Sequence, residues 1–268
     1  MKQHPHDTPD VLRVGHLLAD AARLATLPYF RTAALSADNK LAGGYDPVTE
    51  ADRAAERAMR EILSKERPDD AILGEEYGSA SGQSGLTWVL DPIDGTRGFV
   101  SGTPTWGVLI ALSDDNGPFF GIIDQPYIGE RFIGTSYDAM LTGSSGTHPL
   151  KTRTARDISE ATVFTTFPEV GSAAEGAAFA EVSRKARLTR YGMDCYAYAL
   201  VAAGQVDLVI EAGLQAYDIQ APIAVVQAAG GIVTDWQGGP AHLGGRAVAA
   251  ANAEIHAQAL EILRDCAP

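Results

Sequence analysis

The sequence predicts a mixed α/β (α+β) fold in which two sheets are sandwiched among helices. Three observations support this prediction. Residues 8–68 show apolar side chains at helical spacing, residues 87–142 form short apolar runs separated by turn clusters, and the chain beyond about residue 145 alternates strand-like and helical segments. Helices, then an antiparallel meander, then alternating elements are typical of sheets whose faces are covered by helices.

The first two helices have recognisable start signals. Thr8 is an expected N-cap with Pro9 at the first helical position, and Pro28 ends this helix. A second helix opens within the segment DPVTEAD, where Thr49 and Asp52 have the spacing of an N-cap and its reciprocal partner.

The remaining elements are expected from short β-like runs and helical patterns. The expected strands are 71–73, 87–90, 108–112, 119–123, 131–134, 139–142, 162–167, 206–211 and 231–234. The expected helices are 173–185, 195–203, 218–229 and 253–265. We therefore divide the chain into an N-terminal α+β half, residues 1–145, and a C-terminal α/β half, residues 146–268.

Composition limits the classes of partner. The chain has 268 residues, of which 46% are hydrophobic, so it can bury a core. Lys and Arg number 21 and Asp and Glu number 34, for a net charge of −13. A surface of that sign repels phosphate backbones and anionic lipid, so we expect neither nucleic acid nor a membrane as partner. There is no membrane-length apolar run or signal peptide, and Cys195 and Cys266 make no disulfide framework, so we expect a cytoplasmic location.

The segment WVLDPIDGTRGF carries the most chemistry. An apolar strand delivers Asp91 to a turn where Pro92 fixes φ, so Asp91 and Asp94 can project toward one point. Carboxylates at such fixed spacing are ligands for hard divalent cations such as Mg²⁺, and the backbone N–H groups of Gly95 and Thr96 could cradle an anion. Taken alone, however, the pattern is more often a strand followed by an ordinary Asp-Gly turn.

Two further acids stand at the ends of expected elements. Glu75 follows the strand 71–73, and Asp218 begins the helix 218–229. Each has an ordinary interpretation, Glu75 as a solvated loop acid and Asp218 as an acid that offsets the helix dipole. Three loops that each end in an acid could instead converge into a two-metal site.

Four motifs in this order, DPVTEAD, GEE, DPIDGT and YD ahead of AAGGIVTDW, resemble those of the inositol monophosphatase family of Mg²⁺-dependent phosphatases. The resemblance extends from Asp10 to the last helix. It implies an α/β/α/β/α sandwich, two or three bound Mg²⁺ ions with Mn²⁺ as an alternative, a small-molecule phosphate ester as substrate, and a homodimer.

The resemblance also implies roles for individual residues. Five residues match the family's metal-holding positions. Four of them do so through their carboxylates, namely Glu75, Asp91, Asp94 and Asp218, and Ile93 does so through its backbone carbonyl. Thr96 and Glu75 match the residues that orient the attacking water, and Asp52 matches an acid that hydrogen-bonds the threonine, alongside its expected capping role. Lys40 matches a lysine near the region of the third metal and the phosphate, although a solvated loop lysine is an equal interpretation.

The expected chemistry is direct attack by an activated water. No Cys or His motif suggests a phosphoenzyme, so we expect in-line displacement with a second Mg²⁺ neutralising the leaving alkoxide. A non-catalytic metal-binding protein on the same scaffold should have lost a ligand or the water-orienting pair, and here all of these residues are present.

The substrate is indicated by two segments. Sugar-alcohol phosphatases of this type usually read DGTxNF, whereas this chain has Arg97 and Gly98 in DGTRGF. Together with YGMDCYAYAL, this resembles the histidinol-phosphatase branch. The ammonium and imidazole of L-histidinol phosphate require acids beyond the metal ligands, and Asp194 and Glu211 are the candidates. Arg190 could hold the phosphate or orient these two acids. An inositol monophosphatase or a broad-specificity sugar-phosphate phosphatase is the alternative.

The expected substrate pocket draws on both halves of the chain, the C-terminal half contributing Asp218. Its residues are Asp94, Gly95, Thr96, Arg97, Arg190, Asp194, Glu211 and Asp218. Ordinary alternatives stay open for three of them: Asp194 as an N-cap, Glu211 as a strand-end acid and Arg97 as a solvated or salt-bridged side chain. We expect Tyr196 and Tyr198 to pack on their helix rather than to contact substrate.

Overall fold

A computed structural model describes residues 6, 8–32, 35, 37–39, 47–154 and 156–266. Lys40 lies outside the described residues, as do residues 41–46. The helices are α1 (Pro9–Thr26), α2 (Glu50–Glu66), α3 (Thr96–Ser101), α4 (Ala173–Lys185), α5 (Tyr196–Ala202), α6 (Ala216–Ala228) and α7 (Ala253–Leu263). None of the helices in this part of the chain combines the length and the apolar character needed to cross a bilayer.

The strands form two main sheets and a short ribbon. They are β1 (Ala37–Asn39), β2 (Pro47–Thr49), β3 (Ala71–Gly74), β4 (Gly78–Ala80), β5 (Thr87–Asp94), β6 (Gly107–Asp114), β7 (Gly117–Gln125), β8 (Glu130–Gly134), β9 (Ala139–Gly143), β10 (Gly146–Pro149), β11 (Thr162–Thr165), β12 (Leu188–Tyr191), β13 (Leu208–Leu214), β14 (Ile232–Thr234) and β15 (Gly245–Ala250).

The large sheet is the expected meander extended at both ends. Its order is β10-β9-β8-β7-β6-β5-β3-β4, and the pairs are antiparallel except for β3 with β5. β5 is longer than its apolar run, because its backbone continues to pair with β6 as far as Asp94. A register shift between Asp91 and Asp94 interrupts that pairing, and such a bulge bends a strand and redirects its side chains.

The small sheet has the order β12-β11-β13-β15-β14. β11 runs parallel to both β12 and β13, while β15 is antiparallel to β13 and β14. The parallel strands place the C-terminal ends of β11 and β12 at one edge of this sheet.

The elements stack as five layers, which confirms the predicted sandwich. Helices α1 and α2 pack on one face of the large sheet, α5 and α6 lie between the two sheets, and α4 and α7 cover the far face of the small sheet. Successive residues of β5 serve opposite faces, since Trp88 and Leu90 contact the first layer and Val89 the middle one. β10 begins at Gly146, so the β9–β10 hairpin crosses the expected boundary between residues 145 and 146. The division of the chain into two halves stays a prediction.

Helix α6 approaches the large sheet closely because glycines face it. A Cβ on Gly121 of β7 would lie 2.6 Å from the Ala221 carbonyl oxygen, and one on Gly134 of β8 would lie 2.5 Å from that of Ala224. Residues 219–226 of α6 are all buried, as expected for a helix covered on every side. This seating fixes the N-terminal end of α6, which carries Asp218.

Candidate active site

A cleft of about 390 Å³ opens where β5, β11 and β13 end and where α3, α5 and α6 begin. Among the described residues, six carboxylates line it: Glu75, Asp91, Asp94, Asp194, Glu211 and Asp218. Ile93, Gly95, Thr96 and Arg97 line it as well. The structure therefore brings together most of the residues that the sequence proposed for metal and substrate.

Three of these acids form a compact group. Asp91, Asp94 and Asp218 each offer a carboxylate oxygen, and these oxygens lie within 4.8 Å of one another. Each carboxylate is held by a backbone amide. The Ile93 amide donates to Asp91 Oδ1 at 3.0 Å, the Cys195 amide to Asp94 Oδ2 at 2.6 Å and the Gln215 amide to Asp218 Oδ2 at 2.7 Å.

The electrostatics of the group favour the binding of a cation. Burial, and then the negative charges of Glu75, Asp94 and Asp218, raise the pKa of Asp91 well above its ordinary value. Burial also raises the pKa of Asp94, with further contributions from Asp194 and Asp218. An all-oxygen donor set of fixed carboxylates fits a hard divalent cation such as Mg²⁺, whose charge would reverse these shifts.

Thr96 and Asp52 lie beside this group. The Thr96 hydroxyl donates to the Ile93 carbonyl oxygen at 3.0 Å and lies 3.4 Å from Asp52 Oδ1. The other oxygen of Asp52 accepts the Thr49 amide at 2.8 Å and the Thr49 hydroxyl at 2.5 Å, which confirms the capping box of α2. The two expected contacts of Asp52 thus use different oxygens, and burial raises the pKa of Asp52 to about 6.

Asp194 reaches the cleft from the turn before α5. Its φ is 46°, in the left-handed region, and its Oδ2 accepts the Thr105 hydroxyl at 3.0 Å. Burial raises the pKa of Asp194, while Thr105 and the Arg97 charge act in the opposite direction. The alternative of an N-cap is wrong, because the cap residue of α5 is Cys195 and no side chain makes a capping hydrogen bond there.

Glu211 forms a second acidic point on β13. Its Oε1 accepts the amide and the hydroxyl of Thr166 at 2.7 and 2.9 Å, and its Oε2 accepts the Thr165 hydroxyl at 3.2 Å. The residue is only 8% exposed, and burial raises its pKa to about 7 against the effect of these three hydrogen bonds. Glu211 is therefore a fixed, buried carboxyl group rather than a solvated strand-end acid.

The two arginines differ in position. The Arg97 guanidinium stacks over the Phe167 ring at 4.8 Å, at the rim of the cleft. Arg190 is exposed on β12, the edge strand of the small sheet, and it is not part of the cleft lining. The structure thus does not bring Arg190 to the other expected substrate residues.

Sequence reasoning missed two side chains. Thr105 precedes β6 in a segment without any motif, and its hydrogen bond to Asp194 joins residues 89 positions apart. Tyr198 was expected only to pack, yet it also lines the cleft, and its 4%-exposed side chain has a hydroxyl with no hydrogen-bond partner among the described residues. A buried hydroxyl of this kind needs a polar neighbour, so it suits a cleft that receives a polar occupant.

Comparison with known proteins gives a consistent set of relatives. A model described as the inositol monophosphatase family matches residues 8–267. The bifunctional phosphatase IMPL2 of Arabidopsis thaliana chloroplasts is 41% identical, over 93% of this chain and 74% of that protein. A histidinol-phosphatase of Streptomyces coelicolor is 37% identical, over 96% and 98%. The structure of an inositol monophosphatase from Zymomonas mobilis superposes with a TM-score of 0.84 at 38% identity, over 95% and 98%.

Proposed function

Because the chain belongs to the inositol monophosphatase family of metal-dependent phosphatases, we propose that it hydrolyses L-histidinol phosphate to L-histidinol and phosphate. The observation that carries the proposal is a pair of carboxylates in addition to the three acids of the compact group. Asp194 and Glu211 line the same cleft as Asp91, Asp94 and Asp218, but each is held by threonine donors. A substrate that carries both a phosphate and a cationic amine could use both sets, its phosphate through metal ions held by the first set and its amine directly at the second.

The acids that would hold metal, which we call the metal-type acids, define the end of the cleft that takes the phosphate. Glu75, Asp91, Asp94 and Asp218, with the carbonyl of Ile93, would hold Mg²⁺. When bound, such ions neutralise charge on phosphate oxygens and make water more acidic. The lining backbone at Gly95 and Thr96 would bind the same phosphate group through its amides.

Thr96 and Glu75 would orient the attacking water, and Asp52 would hold the Thr96 hydroxyl. A hydroxyl carries one proton and two acceptor lone pairs. With its own proton directed to Asp52 Oδ1 or to the Ile93 carbonyl oxygen, Thr96 Oγ1 can accept a hydrogen bond from a water molecule in the cleft. The capping hydrogen bonds from Thr49 hold Asp52 in place while it serves this role.

Asp194 and Glu211 would bind the part of the substrate that carries the amine and the imidazole. A cation between them would stabilise their ionised forms, which burial disfavours. The Tyr198 hydroxyl, also on the cleft wall, would give the same group a neutral hydrogen-bond partner.

We also propose a homodimer, which light scattering at several protein concentrations would test.

The alternative substrate is a neutral polyol phosphate such as inositol 1-phosphate. It is favoured by the fact that the metal-type acids and Thr96 serve either ester, and by the 38% identity to the Zymomonas mobilis inositol monophosphatase. The two substrates differ in what they require of Asp194 and Glu211, since only the amine needs these carboxylates.

The test is phosphate release with Mg²⁺ from L-histidinol phosphate and from inositol 1-phosphate, with EDTA as control. We expect kcat/KM to favour L-histidinol phosphate by at least about a hundredfold, because two charged contacts would be lost with the neutral ester. Equal values, or a preference for inositol 1-phosphate, would contradict the proposal. Activity that survives EDTA would contradict the metal site.

A further inference from the structure

Gly98 occupies a position where the backbone does not require glycine. It lies inside α3, it has helical backbone, and its φ is not positive. Glycine is among the poorest helix formers, because it loses the most backbone entropy when it is fixed in a helix. Its presence in a six-residue helix beside the cleft therefore needs another reason.

The reason is the space that Asp194 fills. A Cβ on Gly98 would lie 3.2 Å from Asp194 Oδ2, 3.2 Å from Thr105 Oγ1 and 3.0 Å from Thr103 Oγ1. The first two atoms are the partners of the hydrogen bond that fixes the Asp194 carboxylate. These distances are too short for a Cβ to enter without moving its neighbours.

Gly95 completes this arrangement from the other side. A Cβ there would lie only 2.7 Å from Asp194 Cγ, and the φ of Gly95 is +82°. We call Gly95 and Gly98 the glycine seat. Asp194 rests on this seat with a φ of 46°, a value that non-glycine residues adopt rarely and keep only when their surroundings hold them there.

We propose that Gly98 is a specificity-determining position, which admits the Asp194 carboxylate to the cleft and so selects phosphate esters that carry an amine. The inference rests on the proposed function for the identity of that amine. Gly98 itself acts through Asp194 and is a positioning residue. The three atoms nearest to a Cβ at this position belong to Thr103, Asp194 and Thr105, and none belongs to Asp91, Asp218 or Thr96. A side chain here therefore acts first on the Asp194 carboxylate, so selectivity is lost before hydrolysis is.

The test uses Gly98→Ala and Gly98→Asn with two esters. These are L-histidinol phosphate and imidazolylpropyl phosphate, which lacks only the amine. We expect Gly98→Asn to raise KM for L-histidinol phosphate by about tenfold or more, Gly98→Ala to raise it less, and kcat to change little. KM for the amine-free ester should rise less than KM for L-histidinol phosphate, because this ester keeps the imidazole but lacks the amine that contacts Asp194.

Gly176→Ala is the matched control. Gly176 also lies inside a helix, α4, but a Cβ there would meet only the Val170 carbonyl oxygen, at an ordinary 3.6 Å. This variant should leave KM for both esters unchanged. A crystal structure of Gly98→Ala adds a readout independent of substrate, in which we expect the Asp194 carboxylate to be displaced and its hydrogen bond to Thr105 to lengthen.

The outcomes separate this inference from the proposed function. If the wild-type protein does not prefer the ester with the amine, the proposed substrate is wrong and the selectivity role of Gly98 falls with it. If the wild-type protein prefers the amine and Gly98→Asn keeps that preference, only the role of Gly98 is wrong. If Asp194 keeps its position in the Gly98→Ala structure, the claim that the glycine seat positions this carboxylate is wrong.

Discussion

At the scale of single residues, Asp94 links the metal-type acids to the segment that carries Asp194. One of its oxygens accepts the Cys195 amide, and the carboxylate lies with Asp91 and Asp218 in the compact acidic group. Asp94→Asn keeps the size of the side chain but removes the charge that a cation needs. We expect kcat/KM to fall by at least about a hundredfold, as measured by phosphate release at saturating Mg²⁺.

The control for this variant is Asp115→Asn, which changes an exposed acid in the turn between β6 and β7. It makes the same change in net charge far from the metal-type group and should keep the wild-type rate. A wild-type rate in Asp94→Asn at high Mg²⁺ would contradict a metal-holding role.

Glu211 predicts a pH-dependent effect on stability. Its pKa is raised by burial from 4.5 to about 7, so the folded protein keeps a proton that the unfolded chain releases. Between these pH values stability falls as pH rises, and above pH 7 the ionised carboxylate costs about 3 kcal/mol. Glu211→Gln removes this cost, so we expect the variant to exceed the wild type in free energy of unfolding at pH 8 and to match it near pH 4.5.

Urea denaturation at the two pH values measures this difference. Glu169→Gln, which replaces an exposed acid in the loop after β11, is the control and should show no such pH dependence. A Glu211→Gln variant that is less stable by the same amount at both pH values would show that the burial cost is absent.

The ordered acidic motifs predicted the residues of the cleft that stand at the ends of elements. Asp91, Asp94, Asp218 and Glu75 all line it. Thr105 could not be predicted, because its partner Asp194 is 89 positions away and no local pattern links the two. Arg190 was expected in the pocket from its neighbourhood in sequence, but a position on an exposed edge strand depends on sheet order, which local sequence does not specify.

Helix α6 controls the position of Asp218 at the scale of elements. Because a Cβ on Gly121 would meet the Ala221 backbone oxygen at 2.6 Å, Gly121→Ala must push α6 away from β7. We expect the free energy of unfolding to fall by about 1–3 kcal/mol, as in other overpacked cores. The folded fraction should also lose activity, since Asp218 would move relative to Asp91.

Thermal denaturation and phosphate release measure the two effects. Gly143→Ala is the control, because this strand glycine on β9 would bring its Cβ no closer than 3.5 Å to the Glu130 side chain. Equal stability and activity in both variants would show that the close approach of α6 to the sheet is not required.

Capping and periodicity predicted the helices better than the strands. The N-caps Thr8 and Thr49 open α1 and α2, as the sequence indicated. The helix α3 was not predicted, because six residues with an internal glycine show no period. The strand β15, GRAVAA, was also missed, since alanine is a poor strand former and the segment becomes a strand through its pairing with β13 and β14.

The whole molecule carries a concentrated negative charge that a metal should relieve. The net charge is −13, and six carboxylates of the described part of the chain line one cleft. A cation that binds only the folded protein stabilises it by about 2.7 kcal/mol at a hundred times its Kd. We therefore expect saturating Mg²⁺ to raise Tm by about 5–10 °C, and EDTA to reverse the change.

KCl at matched ionic strength is the control in this experiment. It screens the surface charge but does not suit a small site of fixed carboxylates. The same rise in Tm with KCl, or no rise with Mg²⁺, would contradict a metal site in the cleft. The Asp94→Asn variant should show a smaller rise than the wild type.

The five-layer arrangement followed from the family resemblance and from the alternation of elements, and both sheets are present. The meander of the large sheet was predictable because each turn cluster separates neighbouring strands. The order of the small sheet was not, because β12 and β15 join it through contacts distant in sequence. The cleft forms between layers, and its shape therefore depends on packing that sequence patterns do not specify.

The most direct test of the central claim is a crystal structure with Mg²⁺, inorganic phosphate and L-histidinol. We expect metal and phosphate among Asp91, Asp94 and Asp218, and the amine within hydrogen-bond distance of Asp194 or Glu211. An amine that points to solvent, with both carboxylates unused, would contradict the account of how this cleft selects its substrate.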